Sequence, residues 1–443
     1  MHAMVSALQH VGALPSPRSL SSVRPSVRMQ AAVTVSDVEE TEATIGTPGQ
    51  DEKARFMLDA GVHTWEAFQN GGATPTAASN MQEVAAIFAR IASKPGGATY
   101  AAAHGLRSGY FITNALLGTA AFSLSKRVSG AKTSDGVFSI AGFGNSGKSE
   151  GLGGLGVDTT IASRLLLEAA MVYESDFEAV SAGEFKAPWD MSTLTHRQYK
   201  PRYALRQTSR FVAEAVGTLG RRSRASADDV GVWMDADKAL YPEYYLNNFH
   251  YQTDGWLSSR SANVYETSTE TLFVGRQDAM QRTALRPLAA AKVAQANDGA
   301  PRVLEVACGT GRFATFLRDN LPPAASLTAV DLSPFYLEKA KENDAYWRRT
   351  QKRSRARAGK SDLGLQPTTF VQANAESLPF ANESFDAVVC VYLFHEMPKE
   401  ARAAAALEMA RVVAPGGTVR AARAARAALV GVASRTSFAA LNR

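Results

Sequence analysis

One stretch of this chain limits its fold more than any other: Val303-Leu304-Glu305-Val306-Ala307-Cys308-Gly309-Thr310-Gly311-Arg312-Phe313. An apolar run enters a loop with two glycines, and a helical pattern follows. Glycines in such a loop let the backbone approach a ligand and leave amide groups free at a helix N-terminus. A Gly-x-Gly turn is weak evidence on its own. Here Asp331 follows about 20 residues on, at the end of the next apolar run, where an acid accepts hydrogen bonds from both hydroxyls of a ribose.

Around these residues the pattern alternates between strand and helix. Strands are predicted over Val303–Ala307, Ser326–Asp331, Thr368–Ala373 and Phe385–Tyr392, and helices over Arg312–Asn320, Pro334–Tyr346 and Lys399–Val413. Ser333 is placed to cap the second helix, with Pro334 at its first position. Pro415-Gly416-Gly417 closes the last. The result is an α/β class, a Rossmann-like doubly wound parallel sheet. Two further motifs come in order: Asn374-Ala375-Glu376-Ser377-Leu378-Pro379-Phe380, then Ser384-Phe385-Asp386-Ala387-Val388-Val389-Cys390 leading into Phe394-His395-Glu396-Met397-Pro398.

In this order and spacing the motifs resemble the class I S-adenosylmethionine-dependent methyltransferases, of the broad type that includes the ubiquinone/menaquinone methyltransferases. The resemblance spans Arg302–Thr418, roughly a quarter of the chain. It implies S-adenosyl-L-methionine as cofactor. Glu305 would lie near the methionine amino group, with Ala307, Cys308, Gly309 and Gly311 along the methionine and ribose. Asp331 would take the ribose hydroxyls, and Asn374 and Ala375 the adenine edge. Leu332 and Cys390 complete the implied cofactor-binding set. Two positions depart from the family pattern. Ala307 replaces its first loop glycine, which is tolerable where φ is negative. Asn374 replaces its adenine-side acid, so that an amide oxygen accepts without the charge and binding weakens. The implied reaction is attack by an acceptor O, N or C nucleophile on the sulfonium methyl, driven by holding the two in line in a dry pocket. The acceptor is expected to be a small molecule.

The rest of the chain divides by composition. Residues 1–36 contain no acid and carry Arg18, Arg24 and Arg28, the composition of an organelle transit peptide. Val27-Arg28-Met29-Gln30-Ala31 resembles a plastid processing site, so plastid is favoured over mitochondrion. Residues 37–53 read as a linker and 54–239 as a mostly helical domain, with Leu165–Val180 and Tyr203–Leu219 at helical spacing and Pro188-Trp189-Asp190 between them. Tyr110–Leu124 is too short to span a bilayer comfortably. It reads as a buried core helix, with peripheral membrane contact as the lesser alternative. Residues 240–300 begin rich in aromatics and amides and read as a lid. Within them Tyr244–Leu257 resembles a stretch of cyanobacterial and plastid methyltransferases, and His250, Asp254 and Trp256 either contact an acceptor or fix the lid. Residues 301–419 form the cofactor domain and 420–443 an Ala/Arg-rich tail.

Several competing signals are weighed against plainer readings. Two cysteines, Cys308 and Cys390, build no disulfide framework or zinc cage, and no metal is expected. They end strands that should be neighbours, and small buried side chains is the plainer reading over a redox pair. The net charge of +6 is gathered in patches, which argues against a nucleic-acid-binding face; no DNA partner is expected. The basic run Arg348–Lys360 reads as a solvated loop, with RNA contact the lesser alternative, since no aromatics interleave it. Gly142–Ser149 matches a phosphate loop, but the glycines after it oppose the helix that such a loop needs; a nucleotide-binding protein is the alternative function. His395 is a candidate general base, with a packing or capping histidine as the plainer reading.

The C-terminus carries a further expectation. Val419-Arg420-Ala421-Ala422-Arg423-Ala424-Ala425-Arg426 favours helix, and arginine at every third position does not suit a sheet interior. The sheet is therefore expected to end early, leaving an unpaired edge and an inactive or weak, truncated methyltransferase.

Overall fold

Both faces of the sheet are covered by helices, which is why its strands are short apolar runs. The computed structural model describes residues 76–128, 159–188, 197, 200–224, 240–246, 252, 254–362, 364 and 366–422, all within one unit, Met57–Arg443. The transit segment 1–36 with its processing site, the linker 37–53, Gly142–Ser149, His250 and the tail from Arg423 onward lie outside the described residues.

Four helices precede the sheet domain: α1 (Ala77–Ala92), α2 (Gly97–Val128), α3 (Thr159–Ser181) and α4 (Pro201–Arg224). Helix α1 packs on α3 through Ile87, Ile91, Leu167, Ala170 and Phe177, and α2 on α4 through Ala115, Phe122, Phe211 and Ala215. The 54–239 segment is thus helical where described. Tyr110–Leu124 lies inside α2 and is buried on one side only, since Leu116, Leu117 and Leu124 are exposed. Among the described residues no helix is long and apolar enough to cross a membrane.

Helices α5 (Ser259–Leu272), α6 (Gln277–Arg282) and α7 (Leu285–Ala290) lead into the sheet. The lid expectation needs correction here. Helix α5 is interior, with Ala262, Val264, Thr267, Ser268 and Glu270 buried, and it packs against α2 and α4. Two of its buried hydroxyls are bonded, those of Thr269 and Thr271 donating to carbonyls one turn back at 2.9 and 2.6 Å, while that of Ser268 has no partner. Buried ion pairs continue the pattern. Arg282 donates twice to Asp176, at 2.9 and 2.6 Å. Arg107 meets Glu270 at 2.5 Å and Asp278 at 2.9 Å.

The strands are β1 (Arg302–Val306), β2 (Ser326–Asp331), β3 (Thr369–Gln372), β4 (Phe385–Val391) and β5 (Val413–Ala422), with helices α8 (Arg312–Asn320), α9 (Pro334–Arg357) and α10 (Lys399–Val412) between them. All pairs are parallel, in the order β3-β2-β1-β4-β5. The period of two along a strand sorts the core. Val303, Leu327, Ala387 and Val389 meet Phe313, Phe316 and Leu317 of α8 on one face. Leu304, Val306, Val388 and Cys390 meet Met409 and Val412 of α10 on the other. Strand order reverses between β1 and β4, and ligands of such sheets bind in the crevice there, beyond the carboxyl ends. Gly311 (φ +76°) starts α8 where a Cβ would come 3.0 Å from that of Ala340, so only glycine lets α8 approach α9 this closely.

Two expectations fail in this domain. Helix α9 runs on to Arg357, so most of the basic run is helical and not loop. No glycine interrupts it before Gly359, and Arg348 pairs with Asp344 one turn back at 2.8 Å. The start of the Ala/Arg run is strand and not helix: Val419 to Ala422 pair in register with Val388 to Val391. The open edge of β4 outweighs the helix propensity of a few alanines. Arg420 is accommodated because β5 is itself the sheet edge among the described residues. The sheet domain therefore extends past 419 to Ala422 at least.

Candidate functional site

A cavity of about 810 Å³, its mouth included, opens where the strand order reverses, the place where small molecules bind in such sheets. Ala307, Gly309, Asp331, Leu332, Asn374 and Ala375 line it from the ends of β1, β2 and β3. Tyr392 and Glu396 line it beyond β4.

Asp331 is fixed by the backbone around it. Its Oδ2 accepts from the Gly309 amide at 2.8 Å, which ties β2 to the glycine loop, and its Oδ1 accepts from the Ser333 amide at 2.9 Å. Burial pushes its carboxyl up to about 6 against the pull of these amides. Each oxygen keeps capacity for a second donor. Glu305 is buried in the middle of the sheet, and its Oε2 has no hydrogen-bond partner. Burial first, and then the Asp331 charge, push its carboxyl well above the usual range. A buried carboxyl in this state either holds a proton or is matched by a cation.

Two residues at the crevice adopt left-handed backbone. Ala307 has φ +59°, so the negative φ under which an alanine is tolerable there is not met; the loop holds an alanine in the left-handed region that favours glycine. Tyr392 has φ +67°. Such residues cost about 1–3 kcal/mol each and cluster at functional sites.

Other expected site residues sit elsewhere. Cys308 packs beside Ala329, Leu337 and Ala340, and Gly311 serves helix packing as above. Cys390 lies in the core next to Val388 and pairs in register with Val306. None of the three lines the cavity, and neither does Glu305. Burial pushes both thiols up, Cys390 to about 12, which leaves them unreactive. His395 is also off the wall: its side chain is 37% exposed, with Nε2 2.7 Å from Oε1 of Glu396. Beyond β4 the chain turns, with the Glu396 amide bonded to the Leu393 carbonyl at 2.9 Å, and Glu396 and Met397 reach the cavity instead. Asn374 lines the cavity, but its Oδ1 already accepts the Glu376 amide at 3.0 Å in a local turn.

Part of the aromatic segment does cover the site. Tyr245 stacks on Trp256 at 4.7 Å, and both line the cavity. The Tyr244 hydroxyl donates to Glu376 at 2.6 Å, and the Ser333 hydroxyl to the Trp256 carbonyl at 2.5 Å. Asp254 is occupied locally by the Ser258 hydroxyl at 2.7 Å. Sequence reasoning missed Tyr265 of α5, Tyr336 of α9, Tyr392 and Met397 as wall residues. Only the last stood inside a recognised motif.

Comparison with known proteins agrees with this placement. Residues 303–417 match the family described as "Methyltransferase domain". The chain is 37% identical over 123 residues to the phthiotriol/phenolphthiotriol dimycocerosates methyltransferase of Mycobacterium leprae, covering 28% of this chain and 37% of that protein. It is 35% identical over 144 residues to an uncharacterized protein of Mycobacterium tuberculosis, covering 32% and 43%. The chain thus spans less than half the length of these relatives. Among solved structures, an arsenic(III) S-adenosylmethionine methyltransferase from Chlamydomonas reinhardtii is 31% identical, with 27% of this chain and 38% of that chain covered and a TM-score of 0.23. The matched segment 303–417 coincides with the sheet whose strand ends build the cavity, and it is there that the chain is similar to methyltransferases.

Proposed function

We propose that this chain is an S-adenosylmethionine-dependent methyltransferase acting on a small-molecule acceptor. The observation that carries the reading is Asp331 on the cavity wall, held by two backbone amides, with a second buried acid, Glu305, just behind the wall residue Val306 and with an unpartnered oxygen. The cofactor fits both. An amino acid ammonium would supply the partner that Glu305 lacks, and ribose hydroxyls would donate to the capacity left on Asp331. Bound S-adenosylmethionine supplies an electrophilic methyl group on a sulfonium centre. The chain's part is to bind and position. Asp331 would fix the sugar, Glu305 would balance the ammonium, and the Tyr245–Trp256 stack with Leu332 would keep water out while acceptor and methyl are aligned.

The wall beyond β4 is largely apolar, with Tyr392, Leu393 and Met397 beside a single carboxylate, Glu396. The Mycobacterium leprae relative is named a phthiotriol/phenolphthiotriol dimycocerosates methyltransferase, which supports a small-molecule acceptor over protein or RNA. The test is an incubation of the protein with methyl-labelled S-adenosylmethionine and a cell extract, followed by fractionation. Label should enter the solvent-extractable fraction and be lost with Asp331→Ala. Label confined to protein or RNA contradicts the proposed acceptor class. Import into plastids is proposed from the acid-free composition of residues 1–36. A fluorescent fusion of Met1–Thr34 should enter plastids, and cytosolic or mitochondrial fluorescence contradicts it.

A further inference from the structure

Helices α2 and α4 lie side by side. The Tyr110 hydroxyl donates to the Ala204 carbonyl at 3.3 Å, the Thr208 hydroxyl donates to Asn114 at 2.8 Å, and Phe122 and Phe211 share one apolar cluster. One side of this seam is closed by α5. There Gln207 donates to the Asn263 carbonyl at 2.9 Å, and Arg107 meets Glu270. The other side faces solvent.

Along α2 the exposed, described side chains from residue 102 to 124 carry no charge. Leu106, Leu117 and Leu124 are exposed and spaced by close to three turns and then two, so they fall on one line, with Leu116 beside it. The line runs for about 27 Å at about 1.5 Å per residue. Leu106 is 71% exposed, and Leu205 of α4 is 72% exposed. Leu106 lies one turn before Tyr110 and Leu205 follows Ala204, so both stand at the seam. Exposed leucines scattered singly are ordinary, but a row of them with no charge between marks an interaction surface.

Beside this row α4 offers charge of one sign. Arg202, Arg206 and Arg210 are exposed and stand one turn apart, Lys200 precedes them, and none of the four is in an ion pair among the described residues. Arg206 sits over the Tyr203 ring at 5.7 Å and Arg210 donates to Gln207 at 3.3 Å, contacts that leave their charge unbalanced. The single acid of α4, Glu214, is buried against Arg260. A straight apolar row with a cationic border fits a flat partner that is anionic at its surface and apolar beneath. A second copy of the chain would set arginine against arginine.

We propose that the outer face of α2 and α4 rests on an anionic lipid bilayer, holding the protein at a membrane surface without crossing it. Headgroups meet the arginines, and the leucines enter the boundary of the acyl chains. The face stands on these two helices, whatever the cavity of the sheet binds.

The test is sedimentation of the full chain with vesicles of phosphatidylcholine alone, or of phosphatidylcholine and phosphatidylglycerol in equal parts. Binding should be at least about tenfold stronger to the mixed vesicles and should weaken with added salt. Leu106→Ser combined with Leu205→Ser removes the two most exposed leucines of the face, and Arg202→Ala combined with Arg206→Ala removes two charges. Each pair should weaken binding about tenfold or more, with the melting temperature unchanged because all four side chains are exposed. Arg349→Ala combined with Arg353→Ala, on the basic end of α9, removes as much charge from another surface and should bind as the unaltered chain does. No binding to the mixed vesicles, equal binding to both kinds, or undiminished binding in either altered pair overturns the proposal. So does self-association of the protein that is lost with Leu106→Ser and Leu205→Ser, which would give the face to a second copy.

Discussion

The molecule buries acids in two places and treats them in opposite ways. Beneath the helical layer each meets arginine: Asp176 meets Arg282, Glu270 meets Arg107, and Asp278 meets both Arg107 and Arg312. Against the cost of burial, the two arginines hold Asp278 well below the usual carboxylate range, while burial beside it pushes Glu270 up despite Arg107. Among the described residues no arginine lines the crevice of the sheet. Glu305 keeps an unpartnered oxygen and Asp331 has only amides, and burial pushes both carboxyls up. Acids matched within the protein hold it together. Acids left unmatched at a crevice are available to a ligand, and they lower the stability of the empty protein for as long as they wait.

The contrast can be broken most forcefully on the helical side. Asp176→Ala leaves Arg282, which is 1% exposed in its side chain, without its partner. It should cost roughly 3–5 kcal/mol of stability in denaturant unfolding. The half-exposed pair Arg302–Asp386 is the control, and Arg302→Ala should cost about 1 kcal/mol or less. Similar losses in the two variants would remove the distinction between matched interior and surface.

At the crevice, Asp331→Ala should leave the fold intact and weaken S-adenosylhomocysteine by roughly 1.5–3 kcal/mol, the range for hydrogen bonds to a charged group. Because the ligand's hydroxyls favour the ionised carboxylate, and the free carboxyl titrates at about 6, affinity should hold above that pH. Below it affinity should fall by up to about tenfold per unit, as protonation of the free site competes with binding. An affinity that is flat from pH 7 to 5 would show that Asp331 does not meet the ligand as a charge. The smallest effect concerns backbone strain. Ala307→Gly relieves a left-handed alanine at the cost of extra chain entropy, for a net gain of a few tenths to about 1 kcal/mol in stability. A loss of stability would mean that the alanine side chain packs usefully.

The crevice was legible in the sequence because its key residues are local to strand ends. Asp331 ends an apolar run, and the glycine loop follows another, so both could be placed before any partner was known. The helical network was not legible. Arg107 and Glu270 are 163 residues apart, and Arg282 and Asp176 are 106 apart; no periodicity announces such pairs. The same limit misplaced His395: a motif gives the turn after β4 but not which of its side chains reaches the cavity. At β5, helix propensity was read without the waiting edge of β4, a partner visible only once the sheet is assembled.

The central claim is that the crevice of Asp331 and Glu305 binds S-adenosylmethionine. Calorimetric titration of the full chain at pH 6.5, repeated in buffers of different ionisation enthalpy, tests it most directly. The account predicts one saturable site whose heat varies with buffer, because an ammonium at Glu305 and hydroxyls at Asp331 lower both raised carboxyl pKa values and release protons. The absence of saturable binding, or binding with no proton release, would contradict it.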